Sequence, residues 1–258
     1  MTSFFRIVPL LCTAAVLLAC SSSDLPENPT AEQQFRLGME EFQDENYQEA
    51  AQHFEVIRLQ YPGSSVADSA RYFTALSRFK REEYLLASYE FNQIIQSGAS
   101  RELMADSYYQ FAQCYYQLAP KVDLDQTYTM RAIDALQNFV EAYPQHEKAQ
   151  SVEKQVIELV NRLAEKEYNT GILYEKMEVP ESALIYFSTV VDRYYNTDYA
   201  DDAMAGKVRS LLAMKRYSDA IAAAKEFAEK YPSSEYKSDV ESYMADAAAR
   251  LRQSSELR

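Results

Sequence analysis

The residue whose chemistry is easiest to assign is Cys20, which directly follows an apolar run near the amino terminus. The run, residues 7–18, is about a dozen residues long, which suits a signal-peptide core and falls short of the ~20 residues of a membrane-spanning helix. Ala19 before the cysteine and Leu17 three positions upstream match a lipobox, in which the cysteine thiol is acylated. We therefore predict that residues 1–19 are a lipoprotein signal peptide and Cys20 the lipid attachment site. The alternative is an ordinary secretory signal in which Cys20 is incidental.

Few other side chains are arranged for metal binding or catalysis. His53 and His146 are far apart, and no Cys or His cluster has metal-ligand spacing. The segment around Asp123 and Asp125 has two carboxylates, but it lacks the glycine and the distal glutamate of a calcium-binding loop. The sequence contains neither a nucleophile elbow nor a glycine-rich phosphate loop. It therefore predicts a protein with no catalytic residue, metal or cofactor, whose chemistry is recognition.

Composition narrows both the partners and the fold class. The net charge is −13 without a basic patch, which argues against nucleic acid as a partner because its binding rests on clustered Lys and Arg. Five glycines, no tryptophan and 21 tyrosines are typical of an all-α chain. With Cys20 acylated and Cys12 removed in the leader, Cys114 has no partner for a disulfide.

One pattern recurs five times along the chain: a small residue, an apolar and mostly aromatic residue four positions later, and a Tyr-Pro pair ending three of the five segments. This pattern resembles the second helix of a tetratricopeptide repeat. Alanine lets antiparallel helices approach closely, and proline ends a helix because it has no amide hydrogen to donate. The alternative is five unrelated amphipathic hairpins. The small residues are Ala50, Ala87, Ala132, Ala183 and Ala220, followed at four positions by Phe54, Phe91, Leu136, Phe187 and Ala224.

The first helices of the repeats can be placed from similar short segments. Ala67-Asp68, Ala105-Asp106 and Ala200-Asp201 predict three helix starts, with each acid in the first turn, where the helix dipole favours negative charge. The fold expected is a superhelical stack of five tetratricopeptide-like hairpins with a carboxy-terminal capping helix. Its divisions are a lipidated tether at 20–30, amino-terminal repeats at 31–118, a third repeat with an insertion at 119–147, and carboxy-terminal repeats at 148–258, including a long helix at 148–178 and the cap at 235–252.

First helices line the concave face of such a stack, where partners bind. Phe35, Phe42, Tyr72 and Phe79 fall on the first helices of repeats one and two, at positions where a groove residue could lie. We predict that these four form a peptide-binding or partner-binding groove. Core packing is the alternative for each ring.

The combination of a lipobox cysteine, a short tether, five repeats and a cap resembles the BamD (YfiO/ComL) family of outer-membrane assembly lipoproteins. Residues 46–50 with Tyr61-Pro62 resemble the first repeat of that family, and residues 163–168, continuing to 173–176, resemble its long central helix. The resemblance implies a non-enzymatic subunit of the β-barrel assembly machinery, anchored at the periplasmic face of the outer membrane.

The resemblance also implies partners for each half of the chain. Residues 148–258 would dock on the POTRA domains of a BamA-like barrel protein, and residues 31–118 would capture unfolded outer-membrane proteins. A peptide with a terminal aromatic residue could then lie in the predicted groove, anchored by stacking.

Two other functions remain open. A periplasmic repeat protein of the Tol system would share the Tyr-Pro pattern, but it predicts a soluble form with an amino-terminal coiled coil. A lipid-anchored sugar-binding or hydrolytic protein should carry tryptophan, which the sequence lacks, and a convergent pair of acids.

Overall fold

The structure is a computed structural model that describes residues 28–256. Within that range the chain forms eleven α-helices and no β-strand, which confirms the all-α prediction. The signal peptide and Cys20 lie outside the described residues, as does most of the predicted tether. The helices are α1 Ala31–Gln43, α2 Tyr47–Gln60, α3 Ala67–Lys80, α4 Tyr84–Ser97, α5 Arg101–Leu118, α6 Thr127–Ala142, α7 Ala149–Lys176, α8 Pro180–Arg193, α9 Ala200–Ala213, α10 Tyr217–Lys230 and α11 Lys237–Glu256.

The helices pack in chain order as five hairpins, from α1 with α2 to α9 with α10. Each second helix also packs against the first helix of the next hairpin, so every repeat contacts mainly its neighbours. The helix α11 closes the series against α10 and α9, burying Val240 and Ala247. This arrangement confirms the predicted stack of five hairpins with a carboxy-terminal cap.

Four of the five hairpins share one kind of three-residue turn, whose central residue lies in the left-handed region. In the first turn, the Glu45 N–H donates to the Phe42 carbonyl and the Asn46 N–H to the Glu41 carbonyl, which is the Schellman arrangement. Such a position usually carries glycine, since a side chain there costs about 1–2 kcal/mol. The turns therefore form without the glycines that the composition lacks. Their central residues are Glu45, Glu82, Glu178 and Lys215, with φ of 63°, 62°, 58° and 60°.

Two of the three predicted first-helix starts are right and one is wrong. The helices α3 and α9 begin at Ala67 and Ala200, each with its acid in the first turn. The helix α5 begins at Arg101, because the Ser100 hydroxyl accepts a hydrogen bond from the Leu103 N–H at 3.4 Å and caps the helix there. Asp106 is therefore in the second turn, and Glu102 is the acid near the dipole's positive end.

The recurring small residues make room for the rings that follow them. The five alanines of the pattern are completely buried, as are the four large residues four positions later. Three glycines on first helices let these rings pack directly against the helix backbone. A Cβ added at Gly38 would lie 2.6 Å from the Phe54 ring, and one added at Gly171 or Gly206 would lie 2.7 Å from the Phe187 ring. The ring of Phe187 thus packs between α7 and α9, which joins repeat four to repeat five.

The long helix predicted at 148–178 is present as α7, which belongs to two parts of the stack. Its first half packs on α6 through Val152 and Leu159, and its second half packs on α8 through Ala164. The helix α7 also fixes the connection between α5 and α6, which is the predicted insertion of the third repeat. The Arg162 guanidinium donates a hydrogen bond to the Pro120 carbonyl at 2.9 Å, and Lys166 donates one to the Leu124 carbonyl. Among the helices described, none combines the length and the apolar character needed to cross a bilayer.

Candidate functional site

Titratable side chains do not converge into an obvious reactive centre in the described part of the chain. Between residues 28 and 256, no group of three or more His, Cys, Asp or Glu is placed to hold a metal ion. Cys114 is buried, and burial raises the pKa of its thiol to about 12, so the thiolate that would react or bind a metal is disfavoured.

Phe35 and Phe42, the first two residues of the predicted groove, lie on α1 and are partly buried. The Phe35 ring is 5.5 Å from that of Phe54, and the Phe42 ring is 5.2 Å from that of Tyr47. Both rings also pack edge-on against Phe73 of α3, at 5.9 and 5.4 Å. They therefore close the contact between repeats one and two while each keeps part of its surface accessible.

Tyr72 and Phe79 lie on α3 and are also partly buried. The Tyr72 ring packs 5.5 Å from Phe73 and 5.6 Å from Phe91, whereas Phe79 packs against Tyr84 at 5.3 Å. Burial, followed by the charge of Asp106, raises the pKa of Tyr72 to about 12. The Tyr72 hydroxyl therefore stays protonated at neutral pH and can donate a hydrogen bond.

The structure brings three of the four predicted groove residues to one hub, the ring of Phe73, and leaves Phe79 in a separate contact. Sequence analysis missed Phe73, although its three-residue spacing from Ala70, which is buried in the same cluster, is a signal for one helix face. All four rings take part in packing within the stack. Their role in binding a partner stays a prediction.

A second surface with exposed apolar groups lies in the carboxy-terminal half, on α8. Ile185 is 64% exposed and lines a shallow depression of about 570 Å³ with Leu184, Thr189 and Asp192. Leu184 also lines a neighbouring depression of about 460 Å³ that extends over α9 to α10. Ile185 is thus an exposed apolar side chain at the edge of one depression, and Leu184 connects the two depressions.

The frame behind this surface is fixed by contacts between α7 and its neighbours. Arg209 of α9 forms a two-point ion pair with Glu175 of α7, at 2.6 and 2.9 Å. The hydrogen bonds that Arg209 donates to this carboxylate raise the pKa of Arg209, although partial burial of the guanidinium opposes the shift. The rings of Tyr174 and Tyr186 stack at 5.4 Å with 11° between their planes. These contacts hold α7, α8 and α9 in one arrangement.

Comparison with known proteins shows the family of the chain. Residues 27–218 match the model of the YfiO family, described as an outer membrane lipoprotein. The outer membrane protein assembly factor BamD of Rickettsia prowazekii is 29% identical over 193 residues, covering 74% of this chain and 76% of that protein. The assembly factor BamD of Caulobacter vibrioides is 25% identical over 224 residues, covering 83% and 73%.

Solved helical-repeat structures overlap with the chain at low sequence identity. A tetratricopeptide-repeat protein from Bacteroides fragilis is 14% identical with a TM-score of 0.44, covering 86% of this chain and 99% of its own. The TPR2AB domain of yeast Sti1, solved as a complex with pHSP90, is 15% identical with a TM-score of 0.43, covering 88% and 86%.

The family model spans most of the chain, from the end of the tether to the second residue of α10. The first-repeat segment and the long central helix that suggested the resemblance lie within the matched residues, whereas Cys20 lies outside them and its acylation stays a prediction. The protein belongs to the YfiO (BamD) family of outer membrane lipoproteins.

Proposed function

We propose that this protein is a non-enzymatic assembly factor for outer membrane proteins. Lipid on Cys20 anchors it at the periplasmic face of the outer membrane, and the helical stack connects two partners. The observation that carries the proposal is the family match over residues 27–218, supported by the assembly-factor names of both relatives. A stack of helical hairpins suits this role because it offers long surfaces at fixed separation.

The first partner in the proposal is a BamA-like barrel protein, whose POTRA domains dock on residues 148–258. The exposed side chain of Ile185 and the two depressions along α8 give this proposed contact an accessible surface. The ion pair between Arg209 and Glu175 fixes the helices behind this face, so docking costs little ordering of the protein.

Changing Ile185 to glutamate is expected to reduce capture of the POTRA-containing protein at least tenfold, because it places a charge where an apolar contact is proposed. The measurement is an affinity pull-down of the detergent-extracted lipoprotein, with the barrel protein quantified in the eluate. Leu59→Glu is the matched control, because Leu59 is 65% exposed and lies in the amino-terminal half. If Leu59→Glu loses the barrel protein while Ile185→Glu retains it, the assignment of the two halves is wrong.

The second partner is an unfolded outer-membrane protein, captured by residues 31–118. The ring surfaces left accessible at Phe35, Phe42 and Tyr72 support a groove that takes an aromatic side chain of an extended peptide. The rings around Phe73 are already packed edge to face, so the groove is preformed and an incoming ring adds one more aromatic contact.

Changing Phe42 to leucine is expected to weaken binding of a peptide from the carboxy terminus of an outer-membrane barrel by about 2–10-fold, the effect of one aromatic contact worth about 0.5–1.5 kcal/mol. Titration calorimetry with a synthetic peptide ending in phenylalanine measures the change. Phe227→Leu, which removes a buried ring in the last repeat, should leave the affinity unaltered. Equal affinities for the Phe42→Leu and unsubstituted proteins would show that the ring serves packing alone.

A further inference from the structure

Hydrogen bonds fix the point at which the tether joins the helical stack. The Tyr61 hydroxyl donates to the Pro29 carbonyl at 3.0 Å. The next residue, Thr30, caps α1, because its hydroxyl accepts a hydrogen bond from the Gln33 N–H and its own N–H donates to the Gln33 side chain. Tyr61 directly follows α2, so the tether meets the stack where α1 begins and α2 ends.

Antiparallel helices give the first two repeats two distinct ends. At one, which we name the tether end, α1 and α3 begin and α2 and α4 end. At the other, the turn end, α1 and α3 end in the hairpin turns around Glu45 and Glu82. With each helix divided near its middle, the tether end comprises residues 31–36, 54–73 and 91–97, and the turn end comprises residues 37–53 and 74–90.

The two ends differ in charge. The tether end carries three acids and three arginines, so its net charge is zero. The turn end carries eight acids and three bases, which gives a net charge of −5 with histidine neutral. A surface that contains anionic lipid repels the turn end at close range, whereas it neither attracts nor repels the tether end as a whole. Charge therefore favours the tether end as the side that faces a membrane.

The tether end also has an exposed apolar side chain beside a protruding connection. Leu59, in the last turn of α2, is 65% exposed. Gly63, in the connection to α3, has no atom within 4 Å of the position that a Cβ would take. Leu85 and Leu86 at the turn end are 49% and 53% exposed, so apolar exposure alone does not select an end. Charge and the position of the tether make the selection.

The chain between the predicted lipid and the tether end is short. Nine residue steps separate Cys20 from Pro29, and a chain spans at most about 3.6 Å per residue, so Pro29 lies within about 32 Å of the acylated residue. The helix α2 has 14 residues and is about 21 Å long. To bring the turn end to the membrane, the tether would have to run back along this whole length. The tether end needs no such path.

We propose that the tether end of repeats one and two lies against the lipid surface of the membrane in which Cys20 is anchored. Leu59 and the connection at Pro62-Gly63 contact the lipid headgroups, and the acidic turn end points away from them. This inference rests on the lipid anchor of the proposed function. It adds an orientation to that anchor, because it names the end of the stack that the bilayer covers.

The test uses the full mature lipoprotein, reconstituted into vesicles of phosphatidylethanolamine and phosphatidylglycerol that contain a lipid with a spin-labelled headgroup. A fluorophore is attached at Gly63→Cys or at Gln48→Cys, and the buried thiol of Cys114 does not compete for the label. Position 63 is open and Gln48 is exposed in the first turn of α2. We expect quenching at position 63 to be at least about threefold stronger than at position 48, because about 20 Å of helix separates them.

A pair of matched variants tests the contact at Leu59. Leu59→Glu is expected to lower the ratio of quenching at the two positions at least about twofold, because it places a negative charge against an anionic surface. Leu86→Glu is the control, since it makes the same change at an exposed leucine of the turn end and should not lower the ratio. An equal decrease in both variants would contradict the proposal.

Intact mass measurement of the reconstituted protein separates this inference from the anchor. If Cys20 carries lipid and quenching at position 63 is equal to or weaker than that at position 48, the orientation is wrong and the anchor stands. Weak quenching at both positions would assign the Leu59 surface to a protein partner instead of lipid. A mature protein without lipid on Cys20 would overturn the anchor and the orientation together.

Discussion

Replacing Phe187 with alanine is expected to lower the free energy of unfolding by about 3–5 kcal/mol, the range for deleting a large buried ring. The ring is completely buried and packs between α7 and α9 against two glycines. Glycine has no side chain that can turn into the space left by the ring, so the cavity stays largely open. The loss therefore includes both the transfer of the ring and the cost of the cavity.

Chemical denaturation followed by circular dichroism measures this change. The matched control is Ile185→Ala, which truncates an apolar side chain on the same helix that is 64% exposed and should alter stability by less than about 0.5 kcal/mol. A loss below about 1 kcal/mol for Phe187→Ala would mean that α7 and α9 close the gap, contrary to the rigid junction described above.

The position of Phe187 was readable in the sequence because repeat packing has a local signature. An alanine and a large apolar residue four positions later mark most of the second helices, and four of these helices begin three residues before the alanine. In the third repeat the helix begins at Thr127, five residues before Ala132, because Asp125 accepts a hydrogen bond from the Thr127 N–H at 3.0 Å. Local capping chemistry thus shifted a boundary without changing the element.

The features that escaped sequence analysis depend on contacts between distant residues. One such feature is a cleft of about 540 Å³ between α2 and α4, which is lined by Arg58 of α2, Arg71 of α3 and Glu90 of α4, and no single helix shows that combination. Phe73 is a hub only because rings from α1 and α2 reach it. Sequence patterns give the face of a helix, whereas the identity of the neighbour on that face comes from the tertiary arrangement.

The predicted groove shows a related difficulty. Phe35, Phe42, Tyr72 and Phe79 were placed on first helices correctly, yet each ring also packs inside the stack. Spacing alone does not separate a ring that packs from one that binds, because both need an apolar side chain on the inner face. Only a substitution such as Phe42→Leu, which keeps bulk and removes the ring, can divide the two roles.

The anchor is the feature on which the proposed location of the whole protein depends, and Cys20→Ser is expected to abolish it. A hydroxyl does not replace the thiol in acylation, so the lipid is never attached and the leader, residues 1–19, is not removed by signal peptidase II. One acyl chain holds a protein only marginally, with a binding constant of about 10⁴ M⁻¹, whereas two or three chains hold it stably. The Cys20→Ser protein should therefore be absent from the outer-membrane fraction.

Intact mass spectrometry of the amino terminus, together with membrane fractionation, measures both effects. Cys114→Ala is the matched control, because that thiol is buried with a raised pKa of about 12 and lies far along the chain from the leader. It should leave both the acylated amino terminus and the outer-membrane location unchanged. Recovery of an unmodified Cys20 at the mature amino terminus of the unsubstituted protein would mean that the leader is an ordinary secretory signal, and the proposed attachment to the outer membrane would then need a protein partner rather than lipid.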